Sequence, residues 1–493
     1  MANSQPLDRD GSSDVAPIVV WFREDLRLGD NPAFYHAAAT GRPLVCLFID
    51  EVAGPDVRPL GGAARWWLHG SLLELDKSLR ERSGRLLLFR GVTGEIVPLV
   101  VAACRAIAVF WNRRYTEATR RIDEDLKKSF RQQCIDARSF NGNLLYEPWT
   151  LSTSAKAPFR VFSAFWREAQ ASGEPDPPLP VPERPHFYAI PHEVEVQSLR
   201  LEDLRLEPAA PDWARGLRTA WRRGERGAHT RLNNFIGGGL AHYEDSRDRP
   251  DRLATSRLSP YLRFGNISAR QIWHQASIAP NARGPAQTTR SLKKFQSELG
   301  WREFSYHLLY HNPDIAKRNL QKKFDRFAWR TDPEALVAWQ QGRTGYPLVD
   351  AGMRELWNTG YMHNRVRMVV ASFLVKDLLI DWREGESWFW DTLIDADVAN
   401  NPASWQWVAG SGADAAPFFR VFNPVLQGEK FDPDGDYVRR WLPELAHLSA
   451  KFIHRPWDAP DLLRRRVVDV YPDRIVDHGK ARKRALQAWS ELS

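Results

Sequence analysis

Cysteine is scarce in this sequence. Only Cys46, Cys104 and Cys134 occur among 493 residues, and no two of them have Cys-x-x-Cys spacing. An odd and sparse set excludes a disulfide framework and argues against a zinc site. We therefore expect a protein of a reducing compartment, the cytoplasm, that holds no metal.

Long apolar runs are also missing. The longest, residues 96–111, is interrupted by Pro98 and Arg105, and it is shorter than the roughly 20 apolar residues that a membrane-spanning helix needs. Residues 1–16 are polar and acidic, whereas a signal peptide needs a basic start and an apolar stretch. The sequence predicts a disordered tail over residues 1–16 and no membrane association.

Basic residues and tryptophan are plentiful by contrast. The formal net charge is +8, and the chain has 21 tryptophans, most of them after residue 210. An excess of positive charge favours a polyanionic partner such as nucleic acid, although many basic enzymes never bind one. The indoles either build an aromatic core or serve as stacking surfaces and redox relays.

The first third alternates short apolar runs with amphipathic stretches. The runs at 17–22, 44–49, 86–89, 107–111 and 137–140 are typical of strands, and the stretches at 65–82 and 117–133 are typical of helices. Such alternation indicates a parallel sheet covered by helices on both faces. Residues 17–145 are therefore predicted to form a doubly wound, Rossmann-like α/β domain.

The rest of the chain changes character twice. Prolines crowd residues 175–211 with little periodicity, which predicts an interdomain linker over 146–212. Beyond residue 213, helical spacing dominates; in one clean stripe Val366, Val369, Val370, Phe373, Leu374 and Leu378 follow helical intervals. Residues 213–493 are therefore predicted to form a large all-helical domain.

A predicted helix near residues 291–310 has a polar face. Glu298, Trp301, Arg302 and Ser305 lie at i, i+3, i+4 and i+7, which places a carboxylate, an indole and a guanidinium together. The structural interpretation is an ion pair on a helix surface beside a core tryptophan. The functional interpretation is a face that stacks a base and bonds its polar edge.

Three further segments carry candidate ligand-binding groups. In the helix at 362–368, Asn364, Arg367 and Met368 share a face opposite the apolar stripe. The turn at 395–402 has two acids and two amides, which could bind a cation, accept hydrogen bonds from a ligand or cap the next helix. The 255–259 segment, TSRLS, has the hydroxyls and arginine that a diphosphate needs, or is a plain N-cap.

These segments, in this order, resemble the photolyase/cryptochrome family over nearly the whole chain. The strongest resemblances are WFREDLRLGDN at 21–31, TSRLSPYLRFGNIS at 255–268, ELGWREF at 298–304, MHNRVRM at 362–368, DWREGE at 381–386 and DADVANNPASWQW at 395–407. The resemblance implies an antenna domain followed by an FAD-binding domain. It also implies light-driven repair of cyclobutane pyrimidine dimers in UV-damaged DNA by a monomer, with a blue-light photoreceptor as the alternative.

The resemblance assigns residues to FAD, which would be reduced and anionic in the active form. The FAD-binding set is Tyr243, Thr255, Ser256, Arg257, Leu258, Ser259, Arg367, Asp395, Asp397 and Asn401. Arg367 would pair with Asp395, and Asn401 would lie against the central flavin ring. Trp405, Trp382 and Trp329 would carry electrons between the surface and the flavin.

The resemblance also assigns residues to the damaged DNA. Glu298, which would be catalytic, and Trp301, Arg302, Asn364, Met368 and Trp407 would form the dimer pocket. Arg247, Arg365, Arg420 and Lys430 would contact or adjoin phosphates. Asn364, Met368 and Asn401 favour cyclobutane dimers over (6-4) photoproducts, and the overall pattern leans towards class III over class I.

A second, antenna chromophore is expected from the same resemblance. Folate-binding relatives often have a glutamate directly after the tyrosine of Asn-x-x-Tyr. Here Tyr115 is followed by Thr116, and Glu117 comes one position later. Despite this departure from the folate pattern we favour 5,10-methenyltetrahydrofolate; a deazaflavin, another chromophore or a first domain without a chromophore are the alternatives.

Overall fold

The computed structural model describes residues 15–52, 57–279, 286–414, 419–461 and 470–492. Of the predicted tail, residues 1–14 lie outside this description. Across the described residues, no helix combines the length and apolarity needed to cross a membrane.

Five strands form the first layer of the fold. They are β1 (Ile18–Phe22), β2 (Leu44–Glu51), β3 (Leu86–Gly91), β4 (Ala108–Asn112) and β5 (Asp136–Phe140). All neighbouring strands pair in parallel, in the order β3-β2-β1-β4-β5. The central strand β1 is buried at every residue, as expected for a strand with helices on both faces. The predicted doubly wound α/β fold is confirmed.

Helices make up the remainder of the described chain. Their bounds are α1 Pro32–Ala38, α2 Gly62–Arg80, α3 Thr93–Ala103, α4 Glu117–Gln132, α5 Phe162–Ala171, α6 His192–Glu195, α7 Arg215–Ala220, α8 Gly224–Asn234, α9 Tyr243–Ser246, α10 Ser259–Arg263, α11 Ala269–Ser277, α12 Ala286–His311, α13 Pro333–Gln340, α14 Pro347–Thr359, α15 Asn364–Ser372, α16 Trp382–Thr392, α17 Asn400–Ala409, α18 Pro424–Phe431, α19 Asp436–Trp441, α20 Ala450–Ile453 and α21 His478–Ser490. Two π-helical segments, Phe235–Gly239 and Phe373–Asp377, extend α8 and α15. The predicted helical second half is confirmed.

Residues 146–212 are less irregular than the sequence suggested. They contain α5, whose Phe165 and Trp166 are buried, together with the single turn of α6. Much of this segment packs on the rest of the molecule; for example, the backbone N–H of Leu199 donates to Leu88 O of β3 at 2.7 Å. The linker thus contributes a helix to the core, and its predicted bounds remain a prediction.

One hydrophobic core runs through both halves of the protein. The Trp67 ring of α2 lies edge-on to Trp221 and Tyr261, at centroid distances of 5.4 and 4.9 Å. Its Nε1 donates to Asn266 Oδ1 at 3.0 Å. Aromatic rings of this size contribute much buried area. The packing of Trp67 therefore stabilises the contact of α2 with the helical half. A second core lies within the helical half, around α14 to α17.

Candidate functional site

A cavity of about 500 Å³ opens in the helical half. Its walls come from α12, α15, α17 and the 255–263 segment. The predicted site residues that line it are Tyr243, Arg247, Thr255, Ser256, Arg257, Leu258, Ser259, Glu298, Trp301, Arg302, Asn364, Arg367, Met368, Asp395, Asp397, Asn401, Trp405 and Trp407. The structure thus brings together groups from five separate segments, while Trp329, Trp382, Arg365, Arg420 and Lys430 lie outside the lining.

The polar face predicted on α12 points into this cavity. Glu298, Trp301, Arg302 and Ser305 all line it. The Arg302 guanidinium, however, donates to Asn143 O at 2.9 Å and to a neighbouring carboxylate on the same helix. Arg302 therefore also ties α12 to the end of the α/β domain.

Trp301 is held in place by a residue of the linker. Phe162, the first residue of α5, stacks on its ring with a centroid distance of 3.8 Å and an interplanar angle of 10°. Phe162 N donates to Asp414 Oδ2 at 3.0 Å, and Asp414 lines the same cavity. One face of Trp301 is covered by this stack, so a planar ligand would meet the other.

The 255–259 segment contributes one unusual backbone conformation. Arg257 has φ +52°, in the left-handed region that non-glycine residues rarely adopt. Its guanidinium lies 4.6 Å from the Trp221 ring and 4.7 Å from the Tyr361 ring. Arg257 Nε is buried without a hydrogen-bond partner in the described chain, so a cation is held at the cavity wall with donor capacity to spare.

The predicted pairing of Arg367 with Asp395 is present. Arg367 Nη2 lies 2.8 Å from Asp395 Oδ2, which also accepts a hydrogen bond from Ser259 Oγ at 2.6 Å. Burial alone would lower the pKa of Arg367, but the Asp395 carboxylate raises it above its usual value. The other oxygen, Asp395 Oδ1, is buried and has no partner among the described residues. An unsatisfied buried acceptor suits a ligand that supplies an N–H.

Asp397 and Asn401 occupy the turn and first helical residues at 395–402. Asp397 Oδ1 accepts from the backbone N–H of Ala399 and Asn400, at the start of α17, at 2.8 and 2.5 Å. Asn401 Nδ2 donates to Glu386 Oε1 at 2.8 Å. Both residues line the cavity as well, which places them to contact a ligand.

The three predicted electron-relay tryptophans differ in environment. Trp405 lines the cavity and lies edge-on to Phe389 at 5.0 Å. Trp382 is fully buried in the same core, and its Nε1 donates to Asn319 Oδ1 at 2.9 Å. Trp329 is half-buried and packs between this core and a small cluster around α21. The three indoles thus differ in burial: Trp405 at the cavity wall, Trp382 fully buried and Trp329 half-buried.

The predicted DNA-contacting cations lie around and beyond the cavity. Arg247 forms an ion pair with Glu298. Arg365 pairs with Asp248 at 2.7 Å and lies 4.3 Å from the Phe431 ring. Arg420 and Lys430 are exposed. The first two cations are already compensated by carboxylates, whereas the last two present their charge to solvent.

The carboxyl edge of the sheet is closed by ion pairs of the chain itself. Arg114 binds Glu51, at the end of β2, through two contacts of 2.5 and 2.8 Å. Burial alone would raise the pKa of Glu51, but Arg114 outweighs it and lowers that pKa to about 2. Thr116 caps α4 by accepting from Thr119 N at 3.2 Å, and Glu117 pairs with Arg121 on the helix surface. The side chains of Thr116 and Glu117 are therefore both engaged by residues of α4.

Comparisons with known proteins agree with this architecture. A family model of DNA photolyase matches residues 18–183, and a model of the FAD-binding domain of DNA photolyase matches residues 295–491. The deoxyribodipyrimidine photo-lyase of Agrobacterium fabrum is 48% identical over 485 residues, which are 98% of this chain and 99% of that protein. The chain belongs to the DNA photolyase family. Its helical half is therefore an FAD-binding domain.

Photolyases and cryptochromes both occur among the relatives of this family member. Cryptochrome-1 of Arabidopsis thaliana is 38% identical over 484 residues, with 96% of this chain and 70% of that protein covered. A crystal structure of a bacterial class III photolyase from Agrobacterium tumefaciens is similar with a TM-score of 0.92 and 48% identity, and 99% of each chain is covered. The family prediction from the motifs is confirmed.

FAD fits the residues that line the cavity of this photolyase-family chain. Two atoms of its wall residues, Asp395 Oδ1 and Arg257 Nε, have no hydrogen-bond partner in the part of the chain that the structure describes. A flavin has ring N–H groups for the former, and its diphosphate suits the latter. Sequence reasoning missed Phe162, Tyr361 and Glu386, which contact Trp301, Arg257 and Asn401 respectively, because each contact joins segments far apart in the chain.

Proposed function

We propose that this protein is a deoxyribodipyrimidine photo-lyase that uses light to split cyclobutane pyrimidine dimers in DNA. One observation carries the proposal: the Arg367–Asp395 pair and Asn401 lie in the same cavity as Trp301, Trp407 and Glu298. A cofactor and a damaged dinucleotide would thus bind in the same cavity.

FAD would be held from three sides. Tyr243 and the 255–259 segment would bind its phosphates and ribose, with Arg257 as the main cation. Arg367, Asp395, Asp397 and Asn401 would surround the isoalloxazine. When bound in its reduced, anionic form and excited by light, FAD supplies one electron to the dimer and receives it back after the bonds have broken.

The dimer would enter the cavity from the duplex. Enzymes that act on a base, photolyases among them, take it out of the stack. The free face of Trp301 and the ring of Trp407 would hold the two pyrimidines, with Asn364 and Met368 beside them. Glu298 would exchange its contacts with Arg247 and Lys294 for the polar edge of the pyrimidine, and it would stabilise the negative charge that the electron brings. Arg302 would order this wall of the pocket.

Activation and DNA docking would use residues outside the cavity. Trp405, Trp382 and Trp329 would bring electrons from the surface to restore reduced FAD. Arg365, Arg420 and Lys430, together with Arg247, would bind phosphates near the lesion. A binding site of this kind loses affinity steeply with added salt.

The finer assignments belong to the same proposal. Similarity to the class III structure supports class III, and we retain a monomer that acts in the cytoplasm. The antenna would be 5,10-methenyltetrahydrofolate, with a deazaflavin as the alternative. The alternative function is a blue-light photoreceptor with little or no repair, because cryptochromes are among the relatives.

One experiment separates the two functions. The reduced holoprotein is illuminated with an oligonucleotide that contains a thymine dimer, and restored base absorbance is followed. We expect turnover by the wild type and a loss of about tenfold or more in Glu298→Ala, with FAD content unchanged. A flat trace from the FAD-loaded wild type would favour the photoreceptor.

A further inference from the structure

Asn401 is connected to the α/β domain through one buried carboxylate. Glu386 of α16 is 3% exposed, and its Oε1 accepts from Asn401 Nδ2 at 2.8 Å. Its backbone carbonyl accepts from the same Nδ2 at 3.0 Å. Arg58 donates from Nη1 to Oε1 at 2.7 Å and from Nη2 to Oε2 at 3.0 Å. The order of contacts is therefore Arg58, Glu386, Asn401.

These contacts decide which end of the Asn401 amide faces the cavity. An asparagine side chain has two N–H donors and one acceptor oxygen. Both donors are directed to Glu386, whose carboxylate can only accept while Arg58 holds both its oxygens. In the described chain no donor binds Asn401 Oδ1, and the residue lines the cavity. The group offered to a ligand is thus an acceptor.

The α/β domain packs closely against α16 near Arg58 and Glu386. The Arg58 guanidinium lies 4.1 Å from the Trp390 ring, and Trp390 Nε1 donates to Pro59 O at 2.8 Å. Gly62 N donates to Asp391 Oδ1 at 2.8 Å. A Cβ at Gly61 would lie 2.2 Å from Trp390 O, so even a methyl group is excluded. Arg58 is held where it can fix Glu386.

We propose that Arg58 is a positioning residue for the cofactor: through Glu386 it holds the Asn401 carbonyl towards the flavin and so stabilises reduced FAD. The inference rests on the proposed placement of the flavin against Asn401. Reduction adds a proton to the central-ring nitrogen of a flavin. A facing carbonyl then accepts a hydrogen bond, whereas it repels the lone pair of the oxidised ring. Without Arg58, nothing fixes the two oxygens of the Glu386 carboxylate, and the Asn401 amide loses the partner that sets its orientation.

The test compares holoproteins poised against a redox dye. Arg58→Met keeps an apolar side chain over the Trp390 ring but removes the guanidinium that binds Glu386. At a fixed redox potential we expect its ratio of reduced to oxidised FAD to fall about fivefold, the effect of one hydrogen bond. Arg58→Lys, which keeps the charge, should lie between this variant and the wild type. Asp391→Ala is the matched control, because it loosens the same interface without touching Glu386, and its ratio should equal that of the wild type.

A double variant tests whether the effect passes through Glu386. Glu386→Gln alone should lower the ratio, and addition of Arg58→Met should lower it no further, since residues in one network are not additive. If Arg58→Met does not fold, Arg58→Lys and Glu386→Gln decide the matter on the same ratio.

Other outcomes overturn the proposal. An unchanged ratio in FAD-loaded Arg58→Met or, failing that, in Arg58→Lys would do so, as would an equal fall in Asp391→Ala. Failure of the proposed function looks different: the FAD-loaded wild type would give a flat repair trace, whatever the redox ratios of the variants. An unchanged ratio in FAD-loaded Asn401→Ala would instead refute the placement of the flavin beside that residue.

Discussion

Arg302 and Glu303 are sequence neighbours with different surroundings. The first lines the cavity, where the family resemblance placed it. The second is 2% exposed and accepts from the backbone N–H of Leu145 and Tyr146 at 2.8 and 3.1 Å. Helical periodicity reveals which residues share a face, but not which segment of the α/β domain packs against the opposite face. Glu303 was therefore not recognised as a structural residue.

Glu303 gives a pH prediction. Burial raises its pKa from 4.5 to about 7, against the opposing effect of Arg302. Because the folded state then retains a proton that the unfolded chain loses, the stability from this carboxyl is fully present below about pH 4.5 and is lost as the pH rises through about 7. In Glu303→Gln this loss is absent, so the Tm of the variant relative to wild type should rise between about pH 5 and pH 8.

The measurement is thermal unfolding at several pH values. Glu117→Gln, on the surface of α4, is the control and should follow the wild type throughout. Parallel curves for Glu303→Gln and wild type would contradict the assignment.

Helix α16 makes a long-range contact that its local sequence does not reveal. Trp382 was assigned by resemblance, whereas Glu386, one turn on, was not. The pair between Glu386 and Arg58 spans 328 positions, and no local pattern encodes such a contact. Local signals do locate elements: the five strands were predicted within two residues at either end. They failed for α1, with only seven residues, and for α3, whose apolar residues merge with those of β4 into one run.

The packing of α16 on α17 gives a second prediction. A Cβ at Gly385 would lie 2.1 Å from the Trp405 ring, and a buried indole has little room to move. Gly385→Ala should therefore destabilise the protein by about 1–3 kcal/mol and weaken FAD retention, because Trp405 lines the cavity. Thermal unfolding and the ratio of flavin to protein absorbance measure the two effects.

Gly94→Ala is the matched control for this change. It lies within α3, and a Cβ there meets no atom within 4 Å. Since alanine favours a helix over glycine by up to about 1 kcal/mol, the control should be neutral or stabilising. Equal losses in the two variants would contradict the role given to the Gly385 contact.

On the scale of the whole molecule, charge is the property most easily tested. The chain has a net charge of +8, yet several cations near the cavity are already paired. Lys430 is exposed, and no carboxylate pairs with it in the described part of the chain. Lys430→Ala should make the slope of log affinity for dimer-containing DNA against log salt shallower by about one unit.

Arg365→Ala should change the slope by a smaller amount, because Asp248 already neutralises part of its charge. Lys128→Ala, on the exposed side of α4, is the control and should leave the slope unchanged. Fluorescence anisotropy over a salt series measures all three. An unchanged slope in Lys430→Ala would remove this residue from the DNA interface.

The shared core around Trp67 limits how the protein can be re-engineered. A chimera that exchanged residues 17–145 for the α/β domain of another photolyase would replace Trp67, whose indole packs against Trp221 and Tyr261. It would also replace Arg58 and its contacts with α16. Such a graft succeeds only if the donor brings a matching α2 surface. Exchange of the α/β domain therefore alters the flavin environment in the helical half as well.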